Sequence, residues 1–343
     1  MPAIWDLPDF DSHEAVHLFE DRATGLKAVI AVHSTYLGPA AGGTRFWHYA
    51  DSQSAITDAL RLSRGMSYKN AMAGLHAGGG KAVILANPSR SKPVELLDAF
   101  ARAVDSLGGK YVTAQDVGMS EADMVHLSKT TAHVAGLPDQ GGDPGPYTAR
   151  GVYLGVQAAA KHVFGTDDMH GVHVAIQGVG SVGGGLARYL AQQGATLTLA
   201  DVDAGRAAAL AAELGGVSVA ADAIMGVEAD IFSPCALGAI LTEDTVAGLL
   251  VKAVAGGANN QLAKGIEGRM LADRGILYAP DYVINAGGII NVLRHIDAAD
   301  DAEINRRIDT IPGRLSEIWK ESDASGSTPA EVADKMAQKL IGR

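Results

Sequence analysis

The sequence predicts an α/β protein of two domains, and three observations carry that expectation. At 343 residues the chain is longer than the roughly 100–200 residues usual for one domain. A run rich in glycine and proline, residues 136–147, interrupts it near the middle. Beyond that run, short apolar stretches alternate with helical ones of about 10–15 residues, which is the texture of βαβ units and a parallel sheet. The division expected is residues 1–140, joined by a C-terminal helix at about 325–343, and residues 141–324.

In the first half, Ala15–Phe19 and Leu26–His33 read as strands around a turn at Asp21–Gly25. Leu37–Arg45 has little periodicity and reads as a loop. A helix is expected over Asp51–Met66, capped by Ser52 or Ser54, because Ile56, Ala59, Leu60 and Ser63 share one helical face. Gly78–Gly80 reads as a turn before a short strand, Ala82–Leu85. Ser91 and Pro93 open a helix to about Leu107, Tyr111–Thr113 is a short strand ending at Asp116, and Ser120 caps a helix to Leu127.

In the second half, helices are expected over Val152–Val163, Val182–Gln193 and Ala204–Leu214. Strands are expected at His173–Gln177, Thr196–Ala200, Ile231–Phe232, Val251–Ala255 and Ile276–Leu277. The stretch 301–343 is polar and helical, broken at Ser325–Pro329.

Composition excludes several classes. Net charge is −11 without a block of Lys or Arg, so nucleic acid is not an expected partner. No run of about 20 apolar residues exists to span a membrane. A single cysteine, Cys235, permits neither an intrachain disulfide nor a cysteine metal cluster, and no metal is expected. With a start, Met1–Asp6, that lacks the order of a signal peptide, a cytoplasmic location is expected. Glycine is over-represented, at 42 residues against roughly 7% of an average chain.

One glycine cluster has full structural context. The apolar run Val172–Gln177 leads into Gly178-Val179-Gly180-Ser181-Val182-Gly183, a G-x-G-x-x-G followed by an amphipathic helix, a second strand and an acid, Asp201. Gly178 permits the turn, Gly180 lets a pyrophosphate approach the helix N-terminus, and Gly183 lets helix and strand pack closely. Asp201 can accept the adenosine ribose hydroxyls and repel a 2′-phosphate, so NAD is expected over NADP. Arg206, a few residues on, reads as a solvated surface residue. These features predict a Rossmann-type, doubly wound dinucleotide-binding domain. Two later strand ends, at Ser233–Gly238 and Gly256–Asn260, fall where such a sheet holds its ligand. Asn260 is a candidate for the nicotinamide or a substrate amine. Cys235 has no evident base and reads as packing.

The first half carries a different signal. Lys81 follows Gly78-Gly79-Gly80, but the order and the residue after it are wrong for a phosphate-binding P-loop. Bare backbone instead lets another group approach this lysine. Near a second lysine, Lys69, in a poorly solvated cleft, its pKa would fall toward the range useful for acid/base work. Taken singly, Lys81 is a surface lysine, Asp116 a turn cap and Lys69 a helix C-terminal cation. Their coincidence in one domain, beside a domain that binds a redox cofactor, raises all three. His76 shows no partner.

Together these segments resemble the amino-acid dehydrogenases that act on glutamate, leucine, valine and phenylalanine. The resemblance runs through Leu37–Arg45, Gly65–Ala71, Gly78–Lys81, Ala114–Gly118, Gly178–Gly183, Gly257–Gln261 and Tyr278–Gly288, and so covers nearly the whole chain. It implies NAD-dependent oxidative deamination of an L-amino acid to a 2-oxo acid and ammonia in a cleft between a substrate domain and a dinucleotide domain. It also implies a homo-oligomer, from dimer to octamer. Lys69 matches the lysine that grips the substrate carboxylate, Lys81 the one that polarises the carbonyl and assists water, and Asp116 the proton shuttle. Gly42, Gly43, Met66 and Asn260 complete the implied substrate site. The implied cofactor contacts are Thr148, Gly178, Gly180, Ser181, Val182, Gly183, Asp201, Cys235, Ala236 and Asn260.

The matching also bears on the substrate side chain. Glutamate-specific members carry a lysine where Ala41 stands here, so a second substrate carboxylate would go unpaired. The other matching wall positions, Ala114, Ile289 and Val292, are apolar. Branched-chain members usually have Leu at the position of Ala41, and its loss makes room for a phenylalanine side chain. Against that, Met66–Asn70 and Thr113–Gly118 are closer to the leucine enzymes. Leucine-type substrates stand first and an aromatic substrate is the alternative. A non-catalytic NAD-binding regulator is disfavoured because Lys81 and Asp116 are both present.

Overall fold

The computed structural model describes residues 3–343 apart from 88, 90 and 237. Met1, Pro2, and the Leu237 of the Ser233–Gly238 strand end therefore lie outside the described residues. The chain divides into two units. The first holds Met1–Asp143, Asn291–Asp300 and Ala337–Arg343. The second holds Pro144–Ile290 and Asp301–Met336.

The first unit contains strands β1 (Ala15–Asp21), β2 (Leu26–Ser34), β3 (Ala40–Trp47), β4 (Gly78–Leu85) and β5 (Tyr111–Gln115). Its helices are α1 (Ser52–Met72), α2 (Val94–Asp105) and α3 (Glu121–Leu127). The sheet order is β1-β2-β4-β3-β5. β1 and β4 run antiparallel to β2, while β3 is parallel to both β4 and β5. Alternation along β2 divides the core. Val29 and Ala31 join Ala55, Ala59 and Leu60 of α1, whereas Ala28, Ile30 and Val32 join Leu96, Phe100 and Leu127 of α2 and α3. Each large side chain so buried contributes about 1.5–3 kcal/mol of transfer free energy.

Four sequence expectations are corrected here. Residues 40–47 are not loop but the strand β3, hydrogen-bonded on both edges. Alanine and glycine give no apolar alternation to read. β4 begins at Gly78, so Lys81 lies inside a strand rather than after a turn. α1 is capped by Asp51, which accepts from the Ser54 amide, and not by Ser52 or Ser54. It also runs to Met72, past Gly65, because Tyr68, Ala71 and Met72 are buried. Its stop is Gly74, at φ +67°, the left-handed residue that ends many helices.

The second unit opens with α4 (Gly145–Phe164). The helix starts at Gly145 rather than Val152, with proline in its first turn, where its missing N–H is not needed. There follow β6 (His173–Gln177), α5 (Ser181–Gln192), β7 (Thr196–Ala200), α6 (Ala204–Leu214), β8 (Val217–Ser218), β9 (Ile231–Pro234), α7 (Glu243–Gly248), β10 (Ala253–Val254), α8 (Ile266–Asp273) and β11 (Leu277–Tyr278). All these strands are parallel, in the order β11-β10-β9-β6-β7-β8. The chain winds outward from β6 to β8, then restarts at β9 on the other side of β6. This is a doubly wound, Rossmann-type sheet, and its switch point lies between β6 and β9. The remaining helices are α9 (Asp281–Ile284), α10 (Gly287–Val292), α11 (Asp301–Ile308), α12 (Ile311–Ser325) and α13 (Pro329–Leu340). α10 and α13 each give residues to both units. Trp319 of α12 is buried, and its indole N–H donates to the Tyr278 carbonyl at 2.9 Å.

Candidate active site

Strand order positions the acid/base pair of the first unit. Lys81 belongs to β4 and Asp116 follows β5, with β3 between those strands. The Lys81 Nζ nevertheless lies 2.6 Å from the Asp116 Oδ2. The pair spans the middle strand because β3 carries Gly42 and Gly43 there. A Cβ on Gly43 would stand 2.8 Å from the Asp116 Cβ and 2.7 Å from the Gln115 carbonyl oxygen. One on Gly42 would stand 1.9 Å from the Gly80 oxygen and 3.1 Å from the Met66 Cγ. The fully buried Tyr111 hydroxyl donates to the Gly42 carbonyl at 2.7 Å and holds that segment.

Lys81 is only 6% exposed. Burial pushes its pKa down, and the facing Asp116 carboxylate only partly opposes this. Burial alone would raise Asp116, but Lys81 and then Arg45 outweigh it and hold the carboxyl below its usual range. A lysine that releases its proton more readily than usual thus sits against a carboxylate that stays ionised. That is the composition of an acid/base pair.

Met66 and Lys69 lie three residues apart on α1, hence on the same side of the helix, and both are half-buried. Fully buried Asn70 donates through Nδ2 to the Gly78 carbonyl at 2.6 Å and ties α1 to β4. Ala41 and Ala114 are buried on β3 and β5. Val292 belongs to the first unit, near Gly136, whereas Ile289 belongs to the second. His76, which showed no partner in the sequence, faces the Asp297 carboxylate at 3.0 Å.

In the second unit, Gly178 follows β6 at φ +84°, and a Cβ there would lie 2.7 Å from that of Ala236, beyond β9. The β6 and β9 ends thus close on each other at the switch point. Gly183 of α5 packs so tightly that a Cβ would reach within 1.9 Å of the Gly178 oxygen and 3.0 Å of the Cys235 Cβ. Between them Gly180 is the N-cap of α5, with no side-chain cap and open space where a Cβ would project. Gly180 and Ser181 are exposed. An uncrowded helix N-terminus of this kind fits a pyrophosphate.

Val182 packs where a Gly257 side chain would go. The Cys235 sulfur accepts from the Gly257 amide at 3.5 Å, and burial pushes its thiol pKa up, which disfavours the thiolate. Asn260 is exposed and left-handed, at φ +51°. Thr148 donates to the Pro144 carbonyl at 3.0 Å, and Gly288 leaves room for its hydroxyl.

Asp201 differs from the sequence picture of a free ribose acceptor. Its Oδ2 accepts the Val179 amide at 2.8 Å, and its Oδ1 accepts the Asp203 amide at 2.9 Å and the Arg206 guanidinium at 2.6 Å. Burial alone would raise its pKa; Arg206 and the two amides lower it. Arg206 is therefore not merely solvated but paired. Among residues given no role from sequence, Asn285 donates to the Gly257 carbonyl and the Asn259 side chain, and Arg45 bridges Asp116 to Asp58. Among the described residues no group of three or more His, Cys, Asp or Glu is arranged to hold a metal. No described helix is long and apolar enough to cross a membrane.

Comparison with known proteins agrees with this arrangement. Residues 13–133 match the Glu/Leu/Phe/Val dehydrogenase dimerisation domain, and residues 204–311 match the Glutamate/Leucine/Phenylalanine/Valine dehydrogenase domain. The leucine dehydrogenase of Geobacillus stearothermophilus is 44% identical over 332 residues, 96% of this chain and 90% of that protein. The valine dehydrogenase of Streptomyces coelicolor is 47% identical over 340 residues, 97% and 93% of the two chains. Among solved structures, the L-tryptophan dehydrogenase of Nostoc punctiforme superposes with a TM-score of 0.88 at 41% identity, covering 96% of each chain. The chain belongs to the glutamate/leucine/phenylalanine/valine dehydrogenase family and is an amino-acid dehydrogenase, an oxidoreductase of a class that works with a nicotinamide dinucleotide.

Proposed function

We propose that the chain catalyses NAD-dependent oxidative deamination of branched-chain L-amino acids, and the reverse reductive amination of their 2-oxo acids. The observation that carries this is the pair formed by buried Lys81 and half-buried Asp116 across the glycine strand β3. NAD, when bound, would supply the hydride acceptor. Gly178, Gly180, Ser181, Val182 and Gly183 would hold its pyrophosphate, and Thr148, Asp201, Cys235, Ala236 and Asn260 its remaining parts.

Lys69 grips the substrate carboxylate and so fixes the Cα. Once hydride has left the Cα, water adds to the resulting iminium carbon. Lys81 in its neutral form takes a proton from that water, and its ammonium form then stabilises the oxygen that becomes the carbonyl. Asp116 accepts and returns the proton as ammonia departs. Amino acid in its ammonium form, NAD and water thus yield 2-oxo acid, NADH, ammonium and one proton released to solvent.

The residues expected to wall the side-chain site, Ala41, Ala114, Ile289 and Val292, are all apolar, so none would offer a cation to a second carboxylate, and Ala41 and Ala114 are buried. The leucine and valine enzymes among the relatives favour branched-chain substrates over the aromatic alternative. The dimerisation domain in the family description supports a homo-oligomer, and a cytoplasmic location accords with a lone unpaired cysteine. The test is NADH formation from a panel of L-amino acids, with ammonium dependence in the reverse direction. Turnover confined to hydroxy acids, or absent throughout, would overturn the reading.

A further inference from the structure

We infer that Arg45 is a positioning residue that sets both the orientation and the protonation range of the Lys81–Asp116 pair. This rests on the proton role proposed for Asp116. Arg45 stands on β3, two residues beyond Gly43, and the same alternation carries it to the side on which Asp116 closes over the strand. Its Nε donates to the Asp116 Oδ2 at 3.3 Å, the oxygen that Lys81 also holds. Its opposite edge donates to the Asp58 Oδ2 on α1 at 2.8 Å. Asp58 is fixed in turn by the Tyr49 hydroxyl at 2.6 Å and by Arg61 at 3.0 Å.

The charged groups around Asp116 are therefore Lys81 from β4 and Arg45 from β3, with Asp58 and Arg61 of α1 and the hydroxyls of Tyr49 and Tyr111 behind them. Along the line Lys81–Asp116–Arg45–Asp58 the charges alternate in sign. A planar guanidinium can bond two carboxylates at once from opposite edges; a lysine ammonium is a point charge on a flexible stem and holds such a geometry poorly. With both Lys81 and Arg45 on one oxygen, Oδ2, and the Val117 amide also donating to the carboxylate, Asp116 is held in one orientation.

Loss of the Arg45 charge makes every protonated state of the neighbouring pair cheaper. The pair titrates jointly, so both limbs of its pH profile should move to higher pH. Removing the Asp58 charge should move them the other way, by less, since Asp58 bonds to Arg45 rather than to the pair and its direct effect on Lys81 ranks behind that of Arg45. A purely structural role has no such sign. It would lower rates in both variants and leave the profile in place.

The experiment measures kcat, KM and the pH dependence of kcat/KM for oxidation of the best amino-acid substrate by Arg45→Gln, Arg45→Lys, Asp58→Asn and Asp116→Asn. Expected for Arg45→Gln is a fall in kcat of about tenfold or more, a change in amino-acid KM under threefold, and a profile displaced upward by about one pH unit, equivalent to a tenfold change in ionisation. Arg45→Lys should restore the position of the profile but only part of kcat, and Asp58→Asn should displace it downward. A profile unmoved in Arg45→Gln, or moved in the same direction by both charge-removing variants, overturns the inference. If Asp116→Asn itself keeps near wild-type turnover, the proton role of Asp116 fails instead, whatever Arg45 does. Circular dichroism and melting of each variant identify misfolding, and where Arg45→Gln misfolds the downward displacement expected of Asp58→Asn decides instead, an unmoved profile overturning the inference.

Discussion

In the reaction proposed above, Lys81 and Asp116 carry most of the chemistry on two side chains 2.6 Å apart. Lys81→Ala removes the charge that stabilises the developing oxyanion, an effect worth about 3 kcal/mol for one such contact. The expected result is a fall in kcat of two orders of magnitude or more with dinucleotide binding nearly intact, since the dinucleotide motif lies in the other unit. Asp116→Asn keeps the shape and removes the proton carrier, with the same expected result. Retention of more than about a tenth of wild-type rate by either variant would remove it from the mechanism. Cofactor choice is likewise a matter of single residues. Asp201 would meet a 2′-phosphate with like charge, and its amide bonds to Val179 and Asp203 hold it in place. NAD should exceed NADP in kcat/KM by at least tenfold. Equal values would mean that Arg206 leaves Asp201 to serve the phosphate, and Arg206→Ala would then lower the NADP value alone.

β3 is the element on which the first unit's site depends, and it was illegible in the sequence. Ala40-Ala41-Gly42-Gly43 shows no alternation, so nothing distinguishes a fully buried parallel strand from a loop. Only its pairing with β4 and β5 reveals why the glycines are there. The same blindness hid the pairing of Lys81 with Asp116, because strand order, not spacing, brings them together. The dinucleotide motif was legible because each of its glycines has a defined place relative to a strand and a helix that are themselves plain. Asp201 was legible as a position but not as a conformation, since Arg206 and two amides decide where its carboxylate points. Gly43→Ala tests the strand directly. The added methyl has no room beside the Gln115 carbonyl and the Asp116 Cβ, and overpacking of this kind costs about 1–3 kcal/mol. A lower melting temperature and a large loss of kcat are expected together. An unchanged melting temperature with full activity would show that the sheet yields there.

At the scale of the whole molecule, the first unit has an acid-sensitive anchor and the substrate range has a single decisive comparison. His33 is fully buried, with its Nδ1 on the Ser67 hydroxyl at 2.7 Å and its Nε2 on the Arg343 guanidinium at 2.8 Å. Burial first, then Arg343 and His13, push its pKa down from 6.5 to about 4. Between those values the unfolded chain binds a proton that the folded unit does not. Stability should therefore be full above pH 6.5 and fall as pH drops toward 4, by about 3 kcal/mol at most. Melting temperatures of wild type and His33→Asn across pH 4–7 check this, the variant giving the shallower slope. Equal slopes would place the acid sensitivity elsewhere. The most direct measurement of the function is kcat/KM with NAD for leucine, valine, phenylalanine and glutamate under one set of conditions. Leucine and valine should lead, and glutamate should trail by orders of magnitude because its second carboxylate finds no cation at Ala41. Phenylalanine ahead of leucine by tenfold or more would make the small Ala41 side chain the determinant and the substrate aromatic, and glutamate in the lead would contradict the apolar pocket outright.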